Sequence, residues 1–247
     1  IPLGFIMKVV CIVQARLGST RFPNKVLKKI GNKTIIEILL SRVKKSKYID
    51  QIVLATSNTS LDSKLANFIM RLGFDVFRGS HKNVLERYYL AAKKYKADLI
   101  VRITGDCPLV DKNLIDQMIT TFKKKNYDYI ANALIPTYPD GLDIEVFSLN
   151  ALNKTFLNSK TEMQKEHVTP YIYQSGKFKI FNQKNITDYS KFRWTIDEIQ
   201  DYQVLKKIFK YFEPNIFFPW TDVISLTKLK PNIFKMNEDI KRNQGME

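Results

Sequence analysis

This 247-residue chain contains only two cysteines and two histidines, and each shortage argues against one kind of protein. Cys11 lies in an apolar run and Cys107 in a tight motif, so no disulfide framework is indicated and the reducing cytoplasm is the expected compartment. His81 and His167, with two distant cysteines, do not have the spacing of a zinc site. No apolar run is long enough to cross a bilayer, so membrane insertion is not expected.

Two familiar phosphate-binding loops are also missing. The chain has neither the G-x-x-x-x-G-K-[ST] spacing nor the G-x-G-x-x-G spacing. Acidic residues are scarce beside basic ones, 24 against 40, which suits nucleic acid, an anionic surface or a polyanionic small substrate. The lysines are scattered, and neither aromatic-interleaved basic strands nor a helix-turn-helix is recognisable, so nucleic acid is not an expected partner.

The chain has 45% hydrophobic residues, enough for a substantial core, and its first half alternates between strand and helix patterns. Strands are predicted at 9–13, 51–56, 75–77 and 98–104, with helices between them and after the last. A capping box at Thr34 and Glu37 marks the first helix. Such alternation predicts parallel βαβ units with helices on both faces of the sheet. The second half is less regular, with strands predicted at 129–133, 144–147, 178–182 and 192–196, a long helix at 199–212, and Pro219 at the first position of a further helix.

The loop at residues 14–25 follows the first predicted strand directly. In open α/β sheets the ligand lies at the carboxyl ends of the strands. Gly18 and Ser19 can expose backbone N–H groups to an anion, while Arg16, Arg21 and Lys25 add fixed positive charge. The loop therefore suits a triphosphate, although a basic surface turn would have a similar composition.

Two aspartates follow later predicted strands. Asp106 comes after the strand at 98–104, in a turn shaped by Gly105 and Pro108, and Asp197 follows the strand at 192–196. If both lie at the ligand edge of the sheet, their carboxylates should be free of packing and able to share one Mg²⁺. The alternatives are an Asx-type turn for Asp106 and a favourable acid at a helix N-terminus for Asp197.

Further polar residues cluster in the second half. Asp140, Asp143 and Glu145 alternate around a turn and into a strand, which suits either hydroxyl recognition in an acceptor pocket or a solvated edge strand. His167, in the segment 166–171, fits a substrate contact and a structural histidine equally well.

Seven segments, taken in order along the chain, resemble one family: 14–25, 77–80, 83–88, 102–108, 139–146, 166–171 and 193–198. They are similar to the cytidylyltransferases that activate acylneuraminate and 3-deoxy-manno-octulosonate, and most similar to the branch of spore coat polysaccharide biosynthesis protein F. The resemblance covers nearly all of residues 7 to about 212 and implies an α/β, Rossmann-like GT-A nucleotidyltransferase fold with a mostly parallel central sheet. We expect one domain over 7–230, with a nucleotide-binding half at 7–127 and an acceptor-binding, sheet-closing half at 128–230. Residues 1–6 are expected to be a tag or leader, and 231–247 a polar tail.

The resemblance also implies roles for individual residues. The expected catalytic residues are Arg16, Lys25 and Asp106. The residues expected to contact the nucleotide are Gln14, Ala15, Arg16, Gly18, Ser19, Arg21, Lys25, Gly79, Ser80, Val84 and Arg102. Asp106 and Asp197 are expected to hold Mg²⁺. The residues expected to contact the acceptor are Asp140, Asp143, Glu145, His167 and Arg193.

The reaction implied is transfer of CMP from CTP to a sugar acid or related anionic acceptor, with release of pyrophosphate, in surface polysaccharide or glycan biosynthesis. A cytoplasmic homodimer with Mg²⁺ as cofactor is expected. Another nucleoside triphosphate, or a sugar 1-phosphate or phosphonate acceptor, is the main alternative. A GT-A glycosyltransferase, a further alternative, would usually carry a D-x-D motif, which Asp143-Ile144-Glu145 matches only loosely. A basic nucleic-acid-binding protein is a further alternative from a different class.

Overall fold

The alternating pattern of the first half folds into strands and helices close to the predicted positions. A computed structural model describes residues 7–242, so the leader expected at 1–6 and the last part of the tail lie outside the described residues. The strands are β1 (Val9–Gln14), β2 (Lys29–Ile30), β3 (Lys33–Thr34), β4 (Gln51–Ser57), β5 (Asp75–Gly79), β6 (Leu99–Thr104), β7 (Tyr129–Ala131), β8 (Glu145–Ser148) and β9 (Ile180–Asn182). The helices are α1 (Ile35–Val43), α2 (Ser60–Arg71), α3 (Val84–Lys94), α4 (Lys112–Lys125), α5 (Leu149–Asn158), α6 (Glu162–His167), α7 (Pro170–Gln174), α8 (Ile199–Phe212) and α9 (Trp220–Leu229). Two 3₁₀ helices cover Lys25–Leu27 and Pro231–Asn237.

Seven strands form the central sheet, in the order β5-β4-β1-β6-β8-β7-β9. The first four run parallel to one another. β8 runs antiparallel to both β6 and β7, and β9 pairs parallel with β7. The sheet is therefore mostly parallel, as predicted, and the connections from β1 to β4 to β5 and on to β6 each pass through a helix.

Helices cover both faces of this sheet, because alternate residues of its central strand β1 point to opposite sides. Val9, Cys11 and Val13 pack into one core with α1, α2, α4, α8 and α9. Val10 and Ile12 pack into a second core with α3, α5 and α7. Burial on both faces is the reason β1 is a continuous apolar run.

The beginning of α1 shows how local sequence sets an element boundary. The backbone N–H of Glu37 donates to the Thr34 hydroxyl at 3.3 Å, and the backbone N–H of Thr34 donates to the Glu37 carboxylate at 2.9 Å. The predicted capping box is confirmed. No helix among residues 7–242 is long and apolar enough to cross a membrane.

The segment 192–196 was expected to be a strand, and this prediction is wrong. It makes only one isolated bridge, between Arg193 and Asp140. The backbone N–H of Trp194 donates to the Asp140 carbonyl at 2.6 Å, but pairing stops there because Gly141 turns the chain with a φ of 103°. Pro219 is likewise the N-cap of α9 rather than its first helical residue.

The residues after Pro231 were expected to form a polar tail, and for the part that the structure describes this is wrong. Phe234 and Asn237 are buried, and Ile233 and Met236 pack against the same core. The Asn237 side-chain amide donates to the carbonyl of Arg193 at 3.0 Å and to the carboxylate of Asp201 at 2.8 Å. Three apolar residues of this short segment face one core, although its composition is mostly polar.

Replacement of Gly141 by alanine should destabilise the protein strongly. A Cβ at this position would lie 2.5 Å from the backbone nitrogen of Thr195 and 2.5 Å from the carbonyl carbon of Trp194. Gly176 is the matched control, since its φ is also positive, at 69°, but nothing lies within 4 Å of an added Cβ. We expect Gly141→Ala to lower the free energy of unfolding by about 3 kcal/mol or more, and Gly176→Ala by about 1–2 kcal/mol. Urea unfolding of both variants tests this, and equal losses would contradict it.

Candidate active site

The loop after β1 and the turn after β6 lie side by side at the carboxyl ends of two neighbouring parallel strands. Gln14 and Thr104, the last residues of these strands, are in register. The backbone N–H of Gly105 donates to the Gln14 carbonyl at 2.7 Å. A Cβ on Gly105 would come within 2.7 Å of the Ala15 Cβ, so this close approach requires glycine.

Lys25 is directed into this edge by the turn that precedes it. Asn24 adopts a left-handed conformation with a φ of 56°, which asparagine tolerates better than most residues, and the 3₁₀ helix begins at Lys25. The Lys25 ammonium donates to Asp106 Oδ2 at 2.7 Å, to Asp197 Oδ1 at 2.8 Å and to the Ile196 carbonyl at 2.7 Å. An ammonium has three donors, so all three are satisfied by these contacts.

Asp106 and Asp197 are therefore brought together as predicted. The backbone N–H of Ile196 also donates to the Asp106 carbonyl at 3.0 Å, which ties the two segments directly. The expectation that both carboxylates are free of packing is wrong, because each is bound to a cation. Burial opposes the charged forms of Lys25 and Asp106, but the attraction between the two charges outweighs this effect. The attraction raises the pKa of Lys25 and lowers the pKa of Asp106 to about 2.

Asp197 is held by two further cations. Arg21 approaches its Oδ1 at 3.1 Å and also pairs with Glu198 at 3.3 Å. Arg193 donates to its Oδ2 at 2.9 Å. Arg21, predicted to contact the nucleotide, thus lies against the acidic pair that precedes α8.

Arg193, predicted to contact the acceptor, is buried in an ion-pair network beneath Asp197. It donates to Asp140 at 2.8 Å and to both carboxylate oxygens of Asp201, at 2.9 and 3.1 Å. Asp201 is fully buried and also accepts the backbone N–H groups of Asp197 and Glu198. Sequence reasoning missed Asp201, although its place three residues after the helix N-cap Glu198 is a capping-box signal.

The loop at residues 14–25 is held in place by helix α2, which the sequence did not connect with it. The Asp62 carboxylate, on α2 and buried, accepts the backbone N–H of Leu17 at 2.8 Å. Ser19 closes the next turn, with its N–H on the Leu17 carbonyl at 2.9 Å and its hydroxyl accepting the N–H of Phe22 at 3.4 Å. Gly18 lies beside Leu61 of α2, 3.9 Å from an added Cβ.

Arg102 and Glu145 form a further ion pair at the site, separate from the one around Lys25. They lie opposite each other on β6 and β8, and their side chains are in direct contact. The Glu145 carboxylate also accepts the hydroxyls of Tyr129 and Thr169, at 2.5 and 2.6 Å. The Gln14 side chain accepts from Arg102 at 3.4 Å, so two predicted nucleotide contacts, Gln14 and Arg102, meet the predicted acceptor contact Glu145 here.

His167 is the last residue of α6 and lies within electrostatic reach of Arg102. Burial lowers the pKa of the His167 imidazole, and the charge of Arg102 lowers it further against the opposing effect of Glu166. The next residue, Val168, has a φ of 71°, and the Thr169 N–H closes a tight turn onto the His167 carbonyl at 2.8 Å. Such strain in a β-branched residue is unusual and clusters at functional sites.

Two contacts bridge parts of the chain that are distant in sequence. Arg16 approaches the Glu166 carboxylate at 3.9 Å, and both side chains are largely exposed. Asp143 accepts from Arg242 at 2.5 Å, so the last described residue reaches the predicted acceptor half. Burial raises the pKa of Asp143, and Glu145 and Asp106 raise it further against the opposing effect of Arg242.

Gly79, Ser80 and Val84, which were predicted to contact the nucleotide, lie at the end of β5, two strands from β1, and at the start of α3. The Gly79 carbonyl accepts the N–H of Asn58 at 2.9 Å, and the Ser80 hydroxyl accepts the N–H of Asn83 at 3.0 Å. Val84 begins α3 and is buried in the second core. Beside them Arg87, missed by sequence reasoning, is buried and donates to the Ser80 carbonyl at 2.6 Å.

The two carboxylates that bind Lys25 fit a magnesium ion whose coordination shell is completed by phosphate. Among residues 7–242, no group of three or more His, Cys, Asp or Glu side chains could hold a metal ion. Mg²⁺ needs no such group, since it commonly takes one or two carboxylates together with waters and substrate phosphates. Asp106 and Asp197 supply two carboxylates that converge on one point.

The chain matches known proteins over most of its length. The family model described as Cytidylyltransferase matches residues 10–235. An uncharacterized protein of Methanocaldococcus jannaschii is 41% identical over 245 residues, covering 98% of this chain and 99% of that protein. Spore coat polysaccharide biosynthesis protein SpsF of Bacillus subtilis is 34% identical over 212 residues, covering 82% of this chain and 86% of SpsF.

A solved structure gives the same answer at the level of the fold. A cytidylyltransferase from Leptospira borgpetersenii serovar Hardjo-bovis superposes with a TM-score of 0.89 at 37% identity, covering 96% of this chain and 100% of that one. The expected Rossmann-like nucleotidyltransferase fold is thereby confirmed, and this chain belongs to the cytidylyltransferase family.

Proposed function

We propose that this enzyme transfers CMP from CTP to an anionic, sugar-acid-like acceptor and releases pyrophosphate. The observation that carries the proposal is the convergence of Lys25, Asp106 and Asp197 at the carboxyl ends of β1 and β6. This is the edge of an open sheet where ligands bind. It combines a cation for the triphosphate with two carboxylates for Mg²⁺.

The chemistry proposed is an in-line displacement. An acceptor oxygen forms a bond to the α-phosphorus, the bond from that phosphorus to the bridging oxygen breaks, and pyrophosphate leaves with the electron pair. Lys25 and Arg16 neutralise and orient the phosphates. Asp106 and Asp197 would hold Mg²⁺, which supplies further neutralisation of the phosphate oxygens. Positioning and electrostatics thus account for most of the catalysis.

The exposure of the predicted acceptor residues separates two groups. Arg193 and the side chains of Asp140 and Glu145 are nearly covered by their ion-pair partners, so we assign them to positioning. Asp143 and Arg242 keep 34% and 17% of their side chains exposed. We propose that an acceptor meets this pair and His167, because these groups remain within its reach.

A phosphate or phosphonate acceptor is a second candidate, and the ion pairs favour it. Asp140, Asp143 and Glu145 are each bound to an arginine, while Asp106 and Asp197 are bound to Lys25. The attraction of Lys25 lowers the pKa of Asp106, so this carboxylate is a weak base for a sugar hydroxyl, and the carboxylate of Asp143, whose pKa is raised, is engaged by Arg242. An acceptor whose attacking oxygen is already ionised would need no base.

The wider setting is proposed from the resemblance to the acylneuraminate and 3-deoxy-manno-octulosonate activating family. We propose a role in surface polysaccharide or glycan biosynthesis, supported by the similarity to SpsF. We also propose a cytoplasmic homodimer. The two free, buried cysteines agree with a reducing compartment.

The decisive experiment is a pyrophosphate-release screen with Mg²⁺. Each of CTP, UTP, ATP and GTP is combined with 3-deoxy-manno-octulosonate, N-acetylneuraminate, and phosphate- and phosphonate-bearing acceptors. Release that needs CTP together with one anionic acceptor supports the proposal. Release with a different nucleotide and none with CTP would replace it.

CTP with Mg²⁺ should stabilise the protein more than the other three nucleotides do. A ligand that binds only the folded state adds about 2.7 kcal/mol at a hundredfold excess over its dissociation constant. Thermal unfolding with each nucleotide measures this without knowledge of the acceptor. A shift produced by another triphosphate but not by CTP would contradict the base preference.

Asp106→Asn and Asp197→Asn should each fold and lose nearly all turnover in the screen that identifies the substrates. A single electrostatic contributor at a reacting centre is commonly worth about 3–4 kcal/mol, or roughly 10²–10³ in rate. The double variant should be little worse than either single one, because one site is broken in each case. Asp188→Asn, at an exposed aspartate whose contact is with nearby Ser190, is the matched control and should keep full activity. An active Asp197→Asn enzyme would remove this residue from the metal site.

A further inference from the structure

Lys25 holds the same oxygens that the proposed metal ion needs. Its ammonium lies 2.7 Å from Asp106 Oδ2 and 2.8 Å from Asp197 Oδ1. A cation bound at both oxygens occupies the direction in which the two carboxylates converge. An ammonium and a divalent ion cannot share that position, because both are positive and both require close contact with oxygen.

The surroundings strengthen this competition. The Lys25 side chain is only 12% exposed and the two carboxylates 22%, so water screens the charges poorly. Arg21 and Arg193 also contact Asp197, at 3.1 and 2.9 Å. With Lys25 in place, the charge of this carboxylate pair is already balanced by cations.

Among the described residues the two aspartates supply only two side-chain ligands, so most of a coordination shell has to come from phosphate, water or the backbone. In the part of the chain that the structure describes, no third His, Cys, Asp or Glu joins the two aspartates in a metal-binding group. A triphosphate can supply the missing ligands, since phosphate oxygens are preferred partners of Mg²⁺. The same oxygens are strong acceptors for the Lys25 ammonium.

We propose that Lys25 is an exchange residue that makes divalent-ion binding depend on the nucleotide. The triphosphate draws the Lys25 ammonium away from Asp106 and Asp197, and the same phosphates complete the shell of the ion that takes its place. The protein without nucleotide therefore binds a divalent ion weakly, and the ion enters together with the triphosphate. This inference rests on the proposed function, because it uses the same two carboxylates and CTP.

Binding of Mn²⁺, a spectroscopic substitute for Mg²⁺, tests the exchange without measuring activity. The full chain is titrated with Mn²⁺ and the free ion is followed by electron paramagnetic resonance, with and without CTP. We expect weak binding by the unmodified protein alone. Lys25→Met, which removes the charge but keeps the length of the chain, should bind Mn²⁺ without nucleotide roughly tenfold more tightly or better, because one unit charge at hydrogen-bond distance is lost.

Two further variants locate the effect. Lys25→Met combined with Asp106→Asn should lose the gained binding, since one carboxylate is removed. Arg21→Met is the matched control: it also removes a cation in contact with Asp197, but Arg21 is 39% exposed, so the gain should be much smaller. Lys25→Gln replaces Lys25→Met if the latter fails to fold.

The outcomes separate this inference from the proposed function. Mn²⁺ binding gained by Lys25→Met, with no CTP binding by any form, would support the competition and refute CTP as the substrate. CTP binding by the unmodified protein, with equal Mn²⁺ affinity in the presence and absence of CTP and no gain in Lys25→Met, would overturn the exchange and leave the proposed function standing. Tight Mn²⁺ binding by the unmodified protein without nucleotide would also overturn it.

Discussion

The Lys25 ammonium is the contact on which the geometry of the site depends. It joins the loop after β1, the turn after β6 and the segment before α8 through three hydrogen bonds of 2.7–2.8 Å. Without a cation between them, Asp106 and Asp197 would be two poorly hydrated negative charges held close together. Such a pair is stable only when it is neutralised, so the approach of these distant segments and the presence of the cation require each other.

The same charge matching continues into the acceptor half. Arg193 lies between Asp140, Asp197 and Asp201, while Arg102 faces Glu145 across two strands. Buried ion pairs contribute little net stability compared with apolar side chains, but removal of one partner leaves a costly unpaired charge. We interpret these networks as devices that fix the positions of the site residues. The net charge of +16 is a different matter, because most of the lysines lie on exposed helix faces and turns.

The parts of the fold that sequence predicts well are those set by local contacts. The helical spacing of apolar residues and the Thr34 capping box are sufficient to predict α1. The continuous apolar run at 9–13 is sufficient to predict β1. The convergence of Asp106 and Asp197 was predicted on the premise that both follow strands that end at one edge of the sheet, which holds for Asp106 but not for Asp197, because residues 192–196 form no strand. Their pairing with Lys25 was not predicted, since nothing local distinguishes a lysine that binds phosphate from one that binds carboxylate.

The second half was harder to predict for a related reason. Residues 192–196 have a strand-like pattern, yet they make a single bridge, from Arg193 to Asp140, because the chain turns at the next residue, Gly141. The segment after Pro231 reads as polar, but Asn237 completes the hydrogen bonds of Asp201 and Arg242 neutralises Asp143. Each of these contacts joins residues far apart in sequence. Neither the local composition nor the spacing of apolar residues therefore indicates that the contact forms.

Charge balance also connects the two roles inferred for Lys25. A site that holds both two aspartates and a triphosphate must neutralise a different amount of negative charge before and after the nucleotide binds. A lysine that neutralises the carboxylates first and the phosphates afterwards meets both demands, provided that a divalent ion replaces it at the carboxylates. The ion carries one more positive charge than the lysine, and this surplus offsets part of the charge that the triphosphate adds. The third cation of the loop, Arg16, is largely exposed and bound only loosely to Glu166, so it is available for the remaining phosphate charge.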